Sequence, residues 1–204
     1  MKVPPALFSW RVLAWLALYT TLFILAGVYT GGLYWQAQYG PNNVCLLFVH
    51  AYRQQDGTYS FSAASPACGI VTGIGILALL LSALLGGCAL YFLITAQARA
   101  KRVIQAFALV ATMFTLVILV GASLATAGIN RTCDAIETGT VEQNCDTTFR
   151  GGFYSVDGTS DGTQTKNLGT VRAAITASWL LVLGWGGYAA AEWWSWRVAS
   201  QRWW

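Results

Sequence analysis

Residues 70–129 read IVTGIGILALLLSALLGGCALYFLITA (70–96), QARAKR (97–102) and VIQAFALVATMFTLVILVGASLATAGI (103–129), and their reading decides the fold. The two apolar runs carry no Asp, Glu, Lys or Arg, and each exceeds the roughly 20 residues that a helix needs to cross a bilayer. The linker between them holds Arg99, Lys101 and Arg102. A connection this short forces two antiparallel neighbours, which makes the hairpin the surest contact in the fold.

Working outward, residues 12–29 (including LAWLALYTTLFILAG) form a third apolar segment and residues 171–191 a fourth. A cleaved signal peptide is the competing reading of the first segment, but no A-x-A site follows it. The chain has 204 residues, of which 56% are hydrophobic and 10% charged. Its mean hydropathy is +0.52, whereas a soluble domain carries about 25% charged residues. The expected fold class is an all-α membrane protein: a four-helix transmembrane bundle with spans at about 12–29, 70–96, 103–129 and 171–191, forming one domain over 1–204.

The net charge of +4 is unevenly spread. Lys2, Arg11, Arg99, Lys101, Arg102, Arg197 and Arg202 lie at the ends or in loop 97–102, with Glu192 as their only acid, so that side carries +6. Loops 30–69 and 130–170, counted with Arg172 at the edge of the fourth segment, together carry −2. Positive loops stay cytosolic, so both termini are expected in the cytosol and the two long loops outside or in a lumen, in the plasma membrane or a secretory-pathway membrane. The basic residues thus read as orientation signals rather than as a nucleic-acid surface.

Four of the five cysteines, Cys45, Cys68, Cys133 and Cys145, fall in the two long loops, while Cys88 lies inside the second span. An even set in an oxidising compartment indicates disulfides. Of three connectivities, Cys45–Cys68 with Cys133–Cys145 is favoured because each pair closes its own loop. No C-x-x-C pair or neighbouring histidine supports a metal site. Residues 45–52 read as a strand, Gln55-Asp56-Gly57 as a turn and residues 58–61 as the returning strand. A hairpin needs a further strand, for which Gly152–Val156 is the candidate, so a small disulfide-braced β ectodomain from loops 1 and 3 is expected. Asn130-Arg131-Thr132 is a glycosylation sequon.

These loops carry a resemblance. Cys45-Leu46-Leu47-Phe48, Pro66-Ala67-Cys68, Cys133-Asp134-x-Ile136 with Gly139-Thr140-Val141 and Cys145, and Ala177-Ser178-Trp179-Leu180 together resemble the transmembrane protein 179 family of four-span proteins. The resemblance implies the topology and the loop cysteines and brings no reaction with it. The short tryptophan-rich tail departs from the family pattern. A weaker architectural likeness to claudins lacks their W-x-x-W-x-x-C signature, since Trp35 stands alone before Cys45.

Lipid tails are as apolar as leucine, so spans associate through close backbone packing at small residues. Gly69, Gly73 and Gly87 on the second span, Gly121 on the third, and Gly184 and Gly187 on the fourth are the candidates, with packing inside the bundle preferred over a dimerisation face. Trp193, Trp194, Trp196, Arg197, Arg202, Trp203 and Trp204 mix indoles with cations and read as an interfacial anchor. His50, the only histidine, sits in a strand-like run without a nameable partner. Arg172 and Glu192 lie near span ends, where they are expected to reach the interfaces. No catalytic residue, cofactor or metal ligand is identified, and no enzyme is expected. The expected role is an accessory or structural subunit of a larger channel, transporter or receptor; claudin-like adhesion or lateral self-assembly is the alternative. Expected partners are the lipid bilayer and a larger membrane protein or a second copy.

Overall fold

The computed structural model describes residues 10–36, 38–39, 44–45, 47–48, 50–53, 59–62, 66–95, 101–139, 145 and 168–201. Four helices dominate: α1 (Trp10–Gln36), α2 (Ala67–Ile94), α3 (Lys101–Gly139) and α4 (Leu168–Gln201). The four prolines, at positions 4, 5, 41 and 66, all fall outside these helices. Every helix can therefore satisfy its backbone internally, which a hydrocarbon environment demands. Thr20, Thr30, Thr112, Thr115, Ser123, Thr126 and Thr176 donate their hydroxyls to the carbonyl four residues earlier, which hides those groups as well.

Ala14–Trp35, Ala67–Phe92, Lys101–Ala135 and Leu168–Val198 are each long and apolar enough to span a membrane. The chain is an integral membrane protein in contact with the bilayer. Its helices form a ring in the order α1, α2, α3, α4, and α3–α4 is the most extensive pairing. The α2–α3 hairpin, expected to be the surest contact, is the slightest of the four neighbouring pairs. A short link fixes which helices are neighbours but not how deeply their side chains interlock.

Tyr29, Ala26 and Leu22 from α1, Val71 and Ala78 from α2, Ile118 and Ala125 from α3, and Leu181 and Trp185 from α4 are buried in the centre. Away from the disulfides, aromatic rings tie three helices together. Trp185 meets Phe114 edge-on at 4.9 Å between centroids, and Tyr188 meets Trp15 at 5.6 Å and Tyr19 at 5.5 Å. Edge-to-face pairs of this kind contribute about 0.5–1.5 kcal/mol each beyond their buried area.

The expected β ectodomain shared by loops 1 and 3 is overturned. Among the described residues the regular structure is almost wholly helical, and the few paired residues lie inside the first loop. Gln38–Tyr39 (β1) pairs with Val44–Cys45 (β2), and His50–Arg53 (β3) with Tyr59–Ser62 (β4), as two separate antiparallel ladders that form no common sheet. The expected continuous strand over 45–52 breaks at Phe48, whose φ of 61° lies in the left-handed region. Residues 130–139, expected as loop, instead prolong α3. The expected third strand at Gly152–Val156 and the turn at Gln55–Gly57 lie outside the described residues.

Candidate functional site

At one end of the bundle the two long loops are fastened to the helices. Cys45 is bonded to Cys68, in the first turn of α2, and Cys133 near the end of α3 is bonded to Cys145. The first loop then reaches across to α3. The Phe48 amide donates to the Gly128 carbonyl at 3.3 Å, an oxygen that also accepts from the Thr132 hydroxyl at 3.0 Å. Leu47 beside it is fully buried. A Cβ on Gly128 would lie 3.0 Å from the Leu47 side chain, so the bare backbone is what admits the loop here.

The third loop is held by the Cys145 amide, which donates to Glu137 Oε1 at 3.4 Å. Beneath it, between α3 and α4, opens a cleft of about 540 Å³. Asn130, Asp134 and Glu137 line its α3 wall, Arg172 and Thr176 its α4 wall, and Ile129 and Ile175 contribute apolar surface. The facing of these walls follows from the register of the two helices. Trp179 Nε1 donates to Thr126 Oγ1 at 3.1 Å, and Trp193 Nε1 donates to Thr112 Oγ1 at 3.0 Å. The sequence step from Trp179 to Trp193 equals the step from Thr126 to Thr112, so one antiparallel register holds along the whole seam. It sets Arg172 level with Cys133, between Asn130 and Glu137. Among the described residues, neither Asp134 nor Glu137 forms an ion pair with Arg172.

The glycines divide into two sets. Gly184 and Gly121 pack inward: a Cβ on Gly184 would meet Leu22 at 2.6 Å, and one on Gly121 would meet Ile74 and the Tyr29 hydroxyl at 3.0 Å. Gly69, Gly73, Gly87 and Gly187 are exposed, and no described residue stands within 4 Å of where a Cβ would lie. On α2 the exposed set lines up. At 3.6 residues per turn, Gly69, Gly73, Ile76, Leu80, Leu84, Gly87 and Tyr91 share one face. Beside its lower part runs an apolar groove of about 400 Å³ along Ala83, Gly87, Cys88 and Phe92.

The glycines that bring α2 against α1 are Gly75 and Gly86, where a Cβ would press on Tyr29 at 3.2 Å and on Tyr19 at 3.3 Å. Gly32 on α1 does the same against Ala174 of α4. A search for small residues four apart finds Gly86, which follows Ala78 and Ser82 at that spacing, but misses Gly75, which lies three helical turns from Gly86 on the same face.

The remaining expected site residues scatter. Asn130 is exposed within the prolonged part of α3. Trp194 is 71% exposed and Arg197 is exposed. Trp193, by contrast, is committed to α3 through Thr112, and its ring meets Trp196 edge-on at 5.7 Å. Arg202, Trp203 and Trp204 lie outside the described residues, as does the side chain of His50. Glu192 is 3% exposed and faces inward, one turn beyond Tyr188, rather than reaching the interface.

No curated protein and no solved structure matches the chain. The family model described as the Transmembrane protein 179/179B Claudin domain matches residues 11–200. With four spanning helices, two loop disulfides and a match over nearly its whole length, the chain belongs to the transmembrane protein 179/179B claudin-domain family.

Proposed function

We propose that this chain is a non-enzymatic accessory or structural subunit of a larger membrane complex, such as a channel, transporter or receptor. The observation that carries the reading is the outward glycine face of α2. Glycine costs helix stability relative to alanine, and in a bilayer it is most useful where another helix approaches closely. Inside the bundle Gly75 and Gly86 already fill that role, so Gly69, Gly73 and Gly87 suit a helix from another chain. The reading places both termini in the cytosol and the disulfides on the oxidising side, following the distribution of Lys and Arg.

Substituting isoleucine at Gly73 and Gly87 tests this. The expected result is that purification in mild detergent recovers a larger partner in fixed ratio with the native chain, and that the double variant loses it while its own unfolding temperature holds. Equal recovery by both forms refutes the reading.

A second reading, claudin-like lateral self-assembly or adhesion, is favoured by a different observation. Tyr34 and Trp35, 47% and 70% exposed, stack edge-on at 5.6 Å near the disulfide end of α1, and exposed aromatic pairs make good contact anchors. Cells expressing the chain should then aggregate or form strands, and Trp35→Ala should abolish this without affecting recovery of a different partner.

A further inference from the structure

Cleft and charge together suggest an occupant at the disulfide end. We propose that the cleft between α3 and α4 binds a phosphoethanolamine group, with the headgroup of a phosphatidylethanolamine lipid as its principal source: Arg172 holds the phosphate, and Asp134 with Glu137 holds the ammonium.

Size permits it. The cleft's volume of about 540 Å³ lies within the range of about 300–1,000 Å³ typical of small-ligand sites. Charge selects for it. A guanidinium is planar and presents paired donors that match phosphate oxygens. A simple anion approaching Arg172 would meet two carboxylates on the facing wall, and a simple cation approaching the carboxylates would meet the guanidinium. A molecule carrying both signs a few atoms apart satisfies both walls.

The two acids are spaced three residues apart, so they share a side of α3. Glu137 is partly held in place by the Cys145 amide on one oxygen, leaving the other for a ligand. Asn130 and Thr176 add neutral hydrogen-bonding groups beside them. The ammonium is assigned as primary for two reasons. Its N–H groups can donate to carboxylates, and no aromatic ring lines the described cleft to cage a quaternary ammonium.

The lipid source follows from what lies beneath. Ile129 and Ile175 line the cleft. Farther along the same side of the seam, Leu119 and Leu183 are exposed, 37% and 72% respectively, where an acyl chain would lie. The cleft's depth also fits. Residues 130–139 continue α3 past its apolar run 103–129, which puts the charged groups at headgroup level with the hydrocarbon-facing leucines below.

The test uses the full chain purified in detergent, its disulfides intact, with adducts read by native mass spectrometry. Phosphatidylethanolamine, phosphatidylcholine and phosphatidylglycerol of matched acyl chains are compared, with soluble phosphoethanolamine as a separate arm. Retention of phosphatidylethanolamine should exceed that of the other two by about tenfold. Arg172→Gln should reduce it about tenfold, and Arg172→Lys, which keeps the charge but loses the fork, should fall between. Asp134→Asn with Glu137→Gln should erase the preference for phosphatidylethanolamine over phosphatidylcholine. An unchanged melting temperature in each variant identifies the loss as one of binding, and the lysine variant serves where the glutamine variant does not fold. Soluble phosphoethanolamine that binds while the lipid does not would support the same chemistry with a free ligand as its source. Retention independent of headgroup, or undiminished in Arg172→Gln, overturns the proposal, as does failure of both lipid and soluble forms to bind.

Discussion

Replacing Gly32 with alanine would set a methyl carbon 2.6 Å from Ala174 Cβ and 3.3 Å from the Thr170 carbonyl oxygen. Carbon atoms prefer separations of about 3.5–4.0 Å, so α1 and α4 must part by about 1 Å at this level. Ala174 has no rotamer to turn aside, and the oxygen belongs to the backbone, which leaves movement of a helix as the only relief. Overpacking of this kind costs about 1–3 kcal/mol. Gly73→Ala is the matched control, because it adds the same methyl group at an exposed position where no described residue stands within 4 Å. The gain in helix propensity from glycine to alanine accompanies both substitutions and cancels between them. At about 2–4 °C per kcal/mol for a chain of this size, a cost of about 2 kcal/mol lowers the melting temperature of Gly32→Ala by about 4–8 °C relative to Gly73→Ala. Thermal unfolding of both variants in one detergent, followed by near-ultraviolet circular dichroism, reads the difference. A Gly32→Ala protein that melts with or above its control refutes the assignment of Gly32 to the α1–α4 seam.

Other substitutions probe the interior and the loops. The Tyr29 hydroxyl is buried with no hydrogen-bond partner among the described residues, and an unsatisfied polar group costs about 1–3 kcal/mol. Tyr29→Phe should therefore leave the melting temperature unchanged or raise it, and a fall of several degrees would contradict that burial. Trp193→Phe removes the indole bond to Thr112 and should cost about 0.6–1.7 kcal/mol. In a double-mutant cycle with Thr112→Val the two losses should not add, whereas full additivity would show that the bond contributes nothing. Breaking Cys45–Cys68 by serine substitution should remove about 3 kcal/mol of loop-closure stabilisation. Hydrogen exchange at the Phe48 amide should then accelerate strongly while the centre of α3 stays protected, and an unchanged exchange rate would show that the loop is held by its own packing.

Much of the bundle could be read from the chain because lipid imposes a simple demand. Four uninterrupted apolar runs without proline have few folds open to them, and of the three pairings of the loop cysteines the favoured one, in which each pair closes its own loop, is the one formed. What escaped depended on facing rather than composition. Gly69 and Gly73 look like a packing motif, and Gly75 looks incidental, yet the helix turns Gly75 inward and the other two outward. A helix that is apolar all round gives no amphipathic signal to set its rotation, so sequence alone could not distinguish these alternatives. Glu192 sits near the end of the fourth apolar run, where an interfacial position is expected, yet the helix carries on to Gln201 and turns it inward. The cleft was hidden for another reason. Arg172 lies far from Asp134 and Glu137 in sequence and meets them only through the α3–α4 register and the continuation of α3 past Asn130.

The first loop has a mechanical consequence. Its covalent end is on α2, through Cys45–Cys68, and its packed end is on α3, through Leu47, Phe48 and Gly128. It therefore works as a clasp across the slightest of the helix pairings. Opening that clasp by reduction would let α2 and α3 part at this end, while the α1–α4 packing still closes the other side of the ring.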